Sequence, residues 1–195
     1  MERAIHDLLE TEFSAHVALA QATKGAVAAE FGRLVGLCVG CLRGGGKLIA
    51  FGNGGSAADA QHLVTELAVR YQRTRPALAA IALTADTALL TAAGNDLGFE
   101  QIFARQIEAI GKPGDVALGL STSGRSPNVI EALKAARRLG CGAAAFSGET
   151  GGDLPGLADP LILVPSQITA RIQEMHGLLG HILCQAIEHG LGYVD

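Results

Sequence analysis

The sequence predicts an α/β chain: a three-layer, open, mostly parallel five-stranded sheet with helices on both faces, preceded by N-terminal helices. Three observations predict it. From residue 47 onward, short aliphatic runs alternate with longer segments of helical periodicity. Hydrophobic residues make up 49% of the chain but aromatics only 4%, so the core must be built from Ala, Leu, Ile and Val, as in strands covered on both faces. The segments after the first four runs (GNGGS, TAD, STSGRSPN and SGETGG) are rich in small polar residues. Open sheets of this kind bind ligands at such loops, outside the carboxyl ends of their strands.

The elements follow in order. Two apolar-periodic stretches, about 2–22 and 25–43, read as helices, and GGG at 44–46 ends the second. The strands are KLIAFG (47–52), ALAAIAL (77–83), DVALGLS (115–121), GAAAFS (142–147) and PLILVP (160–165). Helices are expected near 56–72, 86–94, 99–110 and 126–139, with a final one from about 168 to 190. No repeat, low-complexity segment or linker divides the chain. One domain over 1–195, with a helical extension to about residue 44, is the expectation.

Charge and cysteine usage exclude several classes. The net charge is −4 with no basic block, which excludes a general electrostatic surface for nucleic acid. The opening MERAIHDLLETEF is charged and amphipathic and lacks the apolar core of a signal peptide. No uninterrupted stretch of about 18 apolar residues argues for a membrane span. Cys38 and Cys41 form a CxxC, but without a second pair and inside a helical apolar pattern. They read as buried small hydrophobes, and a reducing cytoplasm is the expected compartment.

The loops carry the chemistry. GNGGS lets backbone N–H groups approach an oxyanion at a turn that opens a helix. It also fits the dinucleotide fingerprint loosely (Gly52 to Ala57). That fingerprint wants an acidic residue about 20 positions on, and Asp86 lies much further along. In STSGRSPN, Ser121, Thr122, Ser123 and Ser126 place four hydroxyls within six residues. Ser126 can cap the next helix, with Pro127 at its first position. Capping does not explain all four, and hydroxyls beside a helix N-terminus make a phosphate cradle without Lys or Arg.

His62 and Glu66 stand four apart on the helix that GNGGS opens, so their side chains share one face. Such a pair is common on solvated helices, but it also suits two ligands of one metal, or a ligand beside a general base. The last helix offers Gln173, His176 and His181. Gln173 and His181 are eight apart, about 80° round the helix and ~12 Å along it. They reach one ion only if the helix starts after Gln173 or if different subunits supply them. His176 reads as a supporting or core histidine.

GNGGSAADAQHLVTEL, AGND, LSTSGRSPN and RIQEMHxxxxH together resemble the sugar isomerase (SIS) domain, of flavodoxin-like fold, and within it the phosphoheptose isomerase family. The hydroxyl loop is general to the superfamily; the His62, Glu66, Gln173 and His181 combination is more specific. The resemblance implies a homotetramer with sites between subunits and a zinc ion held by His62, Glu66, Gln173 and His181. It implies that Asn53, Gly54, Gly55, Ser56, Asn95, Asp96, Ser121, Thr122, Ser123 and Ser126 contact a sugar phosphate. Gln173 and Glu66 adjoin the substrate as well, and Arg70 is placed to reach the phosphate or a neighbouring subunit. The implied reaction interconverts D-sedoheptulose 7-phosphate and D-glycero-D-manno-heptose 7-phosphate, the first step towards bacterial ADP-heptose.

The residue types agree with this chemistry. Moving a proton between adjacent carbons needs a base, an acid and a group that polarises the carbonyl, here Glu66, His181 and zinc. The rival readings are a binding protein of the same fold that associates with the replication initiator DnaA, a sugar-phosphate sensor without turnover, and a dinucleotide oxidoreductase. Glu66 together with His181 favours the enzyme over the first two. The misplaced acidic residue disfavours the third.

Overall fold

Five aliphatic runs pair into one parallel sheet in a computed structural model that describes residues 1–193. The strands are β1 (Leu48–Gly52), β2 (Ala80–Ala82), β3 (Val116–Ser121), β4 (Gly142–Gly148) and β5 (Leu161–Val164), in the spatial order β2-β1-β3-β4-β5. This is the flavodoxin-like order, and strand order reverses between β1 and β3. There Leu48 to Gly52 pair with Val116 to Leu120, so both strands end at the same level.

Side-chain alternation along these strands feeds two cores. Leu48 and Ala50 of β1, and Val116, Leu118 and Leu120 of β3, face one way. They pack with helices α1 (Glu2–Arg43), α2 (Gly55–Ala68) and α6 (Thr169–Gly190). Ile49, Phe51, Ala117 and Ala145 face the other way, onto α4 (Ala104–Ile110) and α5 (Pro127–Arg138). The short helix α3 (Thr87–Asp96) buries none of its residues fully. Both faces of β1 and β3 are therefore dry, as parallel strands require.

Three expectations change in detail. The two N-terminal helices are one helix of 42 residues. Gly25 costs about 1 kcal/mol against Ala, too little to stop a helix without a proline or cap. The helix expected over 99–110 divides into a 3₁₀ turn (Phe99–Gln101) and α4. The second strand shrinks to Ala80–Ala82, because it has only β1 as a neighbour.

Helix α1 lays Thr23, Val27, Leu34, Cys38 and Cys41 into the core, a stripe at helical spacing. His16 Nδ1 meets Glu174 on α6 at 2.8 Å, and Arg171 on α6 meets Glu12 at 2.7 Å. By length and composition alone this helix is apolar enough to cross a bilayer. It also carries Glu30 and Arg33, paired to each other, and its second half packs on the core through Thr23, Val27, Leu34, Cys38 and Cys41. Its first half leaves Ile5, Leu8, Leu9, Phe13 and Val17 more than half exposed. All four cysteines are buried free thiols, and Cys41 Sγ lies 3.4 Å from the Lys47 carbonyl it donates to.

One glycine holds the loops after β3 and β4 together. Gly124 has φ +65°, and a Cβ there would stand 2.0 Å from the Gly151 carbonyl oxygen and 2.9 Å from the Gly152 nitrogen. Gly124→Ala therefore combines a strained backbone, about 1–3 kcal/mol, with a backbone collision that cannot be relieved by a rotamer. We expect a loss of at least ~2 kcal/mol in urea unfolding. Unchanged stability would mean that the two loops part freely.

Candidate active site

Two helices begin at the point where strand order reverses, and neither begins with a side-chain cap. Gly54, at φ 56°, stands at the N-cap of α2 with open space around its Cα. Ser126 stands at the N-cap of α5 with Pro127 following. Its hydroxyl does not cap that helix, as the sequence led us to expect. It turns instead to Ser121 Oγ, 3.1 Å away. The competition is local: Ser121 Oγ already accepts from the Gly124 N–H at 3.1 Å, and the pair of hydroxyls closes the loop on itself. The backbone at both helix starts is left to attract an anion, with the positive ends of two helix dipoles side by side.

The two loops are locked together by their amides. Asn53 Nδ2 donates to Asn128 Oδ1 and Asn128 Nδ2 donates to Asn53 Oδ1, both at 2.8 Å. Asn128 is buried and was not singled out in the sequence, where only its place in SPNVI could have marked it. Ser123 is exposed and accepts from the Arg125 N–H at 3.2 Å. Thr122 and Ser123 line a cavity of about 270 Å³ with Glu149, Thr150, Ser166 and Gln167. Ser56 is buried in the first turn of α2.

One chain brings His62, Glu66 and His181 together. His62 Nε2 lies 3.1 Å from Glu66 Oε1 and 3.3 Å from His181 Nε2. One ligand atom from each of the three lies within 4.8 Å of the others. The donor set is two imidazole nitrogens and a carboxylate, which suits zinc and leaves room for a further ligand. The two rings meet edge to face at 4.9 Å between centroids, and Tyr71 stacks on His181 at 5.3 Å. Nothing in the sequence marked Tyr71, which lies between α2 and β2.

Helix α6 runs unbroken from Thr169, so a helix start after Gln173 is excluded. The Gln173 carboxamide packs against Gly55, where a Cβ would come within 2.5 Å of its Nε2. Within one chain Gln173 thus stands at the glycine loop, about two turns of α6 from His181. Asn95 and Asp96 are exposed at the end of α3, and their side chains bond to each other at 2.6 Å. Asp86 caps α3 by accepting from the Leu89 N–H, which removes it as a ribose ligand. Arg70 is exposed just beyond α2.

Behind the cluster, Asp59, His62, His176 and His181 line a small void of about 20 Å³, room for one water. Burial raises the Asp59 carboxyl above its usual range. Its position one turn before His62 was the available signal. A far larger cavity, about 520 Å³, opens between α3, α4 and the β2 edge. Ile81, Leu89, Ala93 and Ala109 dominate its wall, so it offers little to a polar ester, and the polar site is the better candidate.

His176 is a core histidine. It packs beside Phe146, its Nε2 lies 3.4 Å from the Ser147 carbonyl, and its Nδ1 is buried without a partner. Burial lowers its pKa to about 4. An unfolded histidine protonates near 6.5, so between these values the unfolded state takes up a proton that the folded state refuses. Stability is full above about pH 6.5 and falls as pH drops towards 4. His176→Gln should flatten that slope in unfolding curves taken between pH 4 and 7. An identical slope in the variant would assign the acid sensitivity to other groups.

Comparison with known proteins comes out consistently. Residues 13–148 match the SIS domain family. The chain is 57% identical over 180 residues to a phosphoheptose isomerase of Paramagnetospirillum magneticum, covering 92% of this chain and 94% of that one. It is 52% identical over 187 residues to one from Campylobacter jejuni, covering 94% and 98%. A solved phosphoheptose isomerase from Neisseria gonorrhoeae superposes with a TM-score of 0.88 at 41% identity, covering 94% of this chain and 99% of that one.

Proposed function

We propose a division of labour from one premise: the chain belongs to the SIS domain family and to its phosphoheptose isomerase branch. Its reaction is the aldose–ketose isomerisation of D-sedoheptulose 7-phosphate to D-glycero-D-manno-heptose 7-phosphate. The observation that carries the mechanism is the convergence of His62, Glu66 and His181 beside two uncapped helix N-termini. One end of such a site takes a dianion and the other handles protons.

The phosphate is held by the hydroxyls of Ser121, Thr122, Ser123 and Ser126 and by the α5 N-terminus. Asn53, Gly54, Gly55 and Ser56, with Asn95, Asp96 and Gln173, contact the sugar. Glu66 takes a proton from C1 of the ketose, which leaves a cis-enediol. The proton returns at C2, and His181 moves the hydroxyl proton from O1 to O2, so the atoms of the sugar balance. A zinc ion held by His62, Glu66 and His181, with Gln173 as a further ligand, supplies Lewis-acid polarisation of the carbonyl oxygen when bound. The exposed apolar stripe of α1, from Ile5 to Val17, supports assembly with further copies into a homotetramer. A second copy is then the source of the Gln173 that α6 geometry keeps from the cluster within one chain.

A binding role related to replication initiation is not favoured. It does not need a clustered carboxylate and two imidazoles, and the similar proteins at 52–57% identity are isomerases by name.

Following sedoheptulose 7-phosphate by NMR, with and without a chelator, tests the scheme. Wild-type protein should turn the ketose over and slow on chelation. Glu66→Gln should lose roughly 10²–10⁴-fold in kcat while still binding the sugar phosphate. Retention of more than about a tenth of wild-type kcat, a difference of only ~1.4 kcal/mol in barrier, would remove Glu66 as the base.

Ser126→Ala separates binding from folding. Because that hydroxyl does not cap α5 and bonds instead to Ser121, its removal should cost no more than ~1 kcal/mol, the net worth of one neutral hydrogen bond. KM should rise several-fold at nearly constant kcat, since a phosphate contact acts in ground and transition states alike. A fall in kcat at unchanged KM would instead put Ser126 at the reacting carbons.

A further inference from the structure

The most deeply buried ion pair among the described residues lies outside the reacting cluster. Arg75 and Glu188 have side chains only 1% and 2% exposed, with Nε donating to Oε1 at 2.8 Å. The rest of the guanidinium is spent on backbone. Nη1 donates to the carbonyls of Leu67 and Pro76 at 2.8 and 3.0 Å, and Nη2 donates to the carbonyl of Glu66 at 2.8 Å. Two of these acceptors belong to the last turn of α2, where carbonyls lack helical partners and the dipole favours a cation. One of them is the carbonyl of Glu66 itself.

The other partner sits on α6. Glu188 follows His181 by seven residues, two helical turns, so both lie on the same face. Arg75 thus grips the end of the helix that carries His62 and Glu66 and, through Glu188, the helix that carries His181. Tyr71, four residues before Arg75, stacks on His181. The connection between α2 and β2 crosses α6 at two points. A buried pair gives little net stability against an apolar substitute. What this one fixes is the register of α2 on α6, on which the 3.3 Å approach of His62 to His181 depends.

We propose that Arg75 and Glu188 are positioning residues for isomerisation, holding His181 against His62 and Glu66. The proposal rests on the reading of those three residues as the reacting cluster. Lysine cannot replace Arg75, because a single ammonium cannot reach Glu188 and two helix carbonyls in a fixed fork.

Arg75→Lys and Glu188→Gln test it. In each, kcat should fall roughly 10–100-fold, the range for groups that orient metal-site or catalytic side chains. KM should stay within about twofold, since the hydroxyl loop assigned to the phosphate lies between β3 and α5. Zinc affinity, measured against a chromophoric chelator, should weaken over a similar range. The Tyr71 ring stacked on His181 should shift the His181 ring protons in wild type, and in the variants those protons should move towards exposed values in the NMR spectrum. That last readout needs neither metal nor turnover, so it judges the positioning even if wild-type protein proves inactive, which would sink the functional reading instead. If Arg75→Lys does not fold, Glu188→Gln, nearly equal in shape, decides. A lowered melting temperature with kcat, zinc affinity and His181 shifts all within twofold of wild type would make the pair merely structural and overturn the proposal.

Discussion

The pairing of β1 with β3 is the constraint from which the rest of the site follows. Two parallel strands that end level, Gly52 opposite Leu120, must both hand the chain over to a helix on the same edge of the sheet. The helices leave to opposite faces, α2 to one core and α5 to the other. A crevice opens between their N-termini, and its width is set by backbone hydrogen bonding rather than by side chains. Gly119, where a Cβ would stand 2.9 Å from Val129, lets α5 approach closely enough for this. The reciprocal amides of Asn53 and Asn128 then fix the two loops across the gap. An anion site built in this way is neutral in formal charge and positive in dipole. It can hold a phosphate without competing for the carboxylate chemistry nearby.

That chemistry is assembled from distant segments. α2 follows the first strand and α6 lies more than a hundred residues later, yet His62 and His181 meet with their ring nitrogens 3.3 Å apart. Two imidazoles so close are cooperative when one ion or one proton is shared between them, and repulsive when both are charged. The void behind them has Asp59 on its wall beside Leu63, Leu120 and Phe146, so a carboxyl group stands near the cluster in a largely apolar surround. The packing that brings the helices together is Leu63, Leu67, Leu179 and Leu183 in one core cluster. Apolar contact gives proximity. It does not give angular precision, which has to come from directional bonds.

Much of this could be read from the residues. The five strands and the order of elements followed from aliphatic runs and from loops of small polar residues. His62 and Glu66 were visible because helical spacing is local, and the hydroxyls because they are crowded into one loop. What was hidden has a common cause: it depends on which distant segments touch. Asn128 looked like an ordinary second residue of a helix. Arg75 is one of three arginines in RYQRTRP, and nothing local to that run marks which of them reaches α6. Ser126 was expected to cap α5, and only the neighbouring Ser121 hydroxyl diverts it. The continuity of α1 through Gly25 was missed because propensity is a weak signal against tertiary packing.

The four cysteines give the chain a chemical clock. Burial pushes Cys41 up to about 11 and Cys184 up to about 12, and raises Cys38 and Cys141 as well. Raised in this way the thiols resist ionisation, and Cys38 and Cys184 are closed to solvent altogether. Alkylation of Cys38 and Cys184 must therefore wait for the structure to part. Cys38 on α1 and Cys184 on α6 belong to one core cluster, so modification of that pair times the breathing of the two long helices. Cys141 lies in the core on the other side of the sheet, at the wall of a cavity of about 450 Å³, and reports on that face. The native chain carries, without added labels, separate reporters for its two faces.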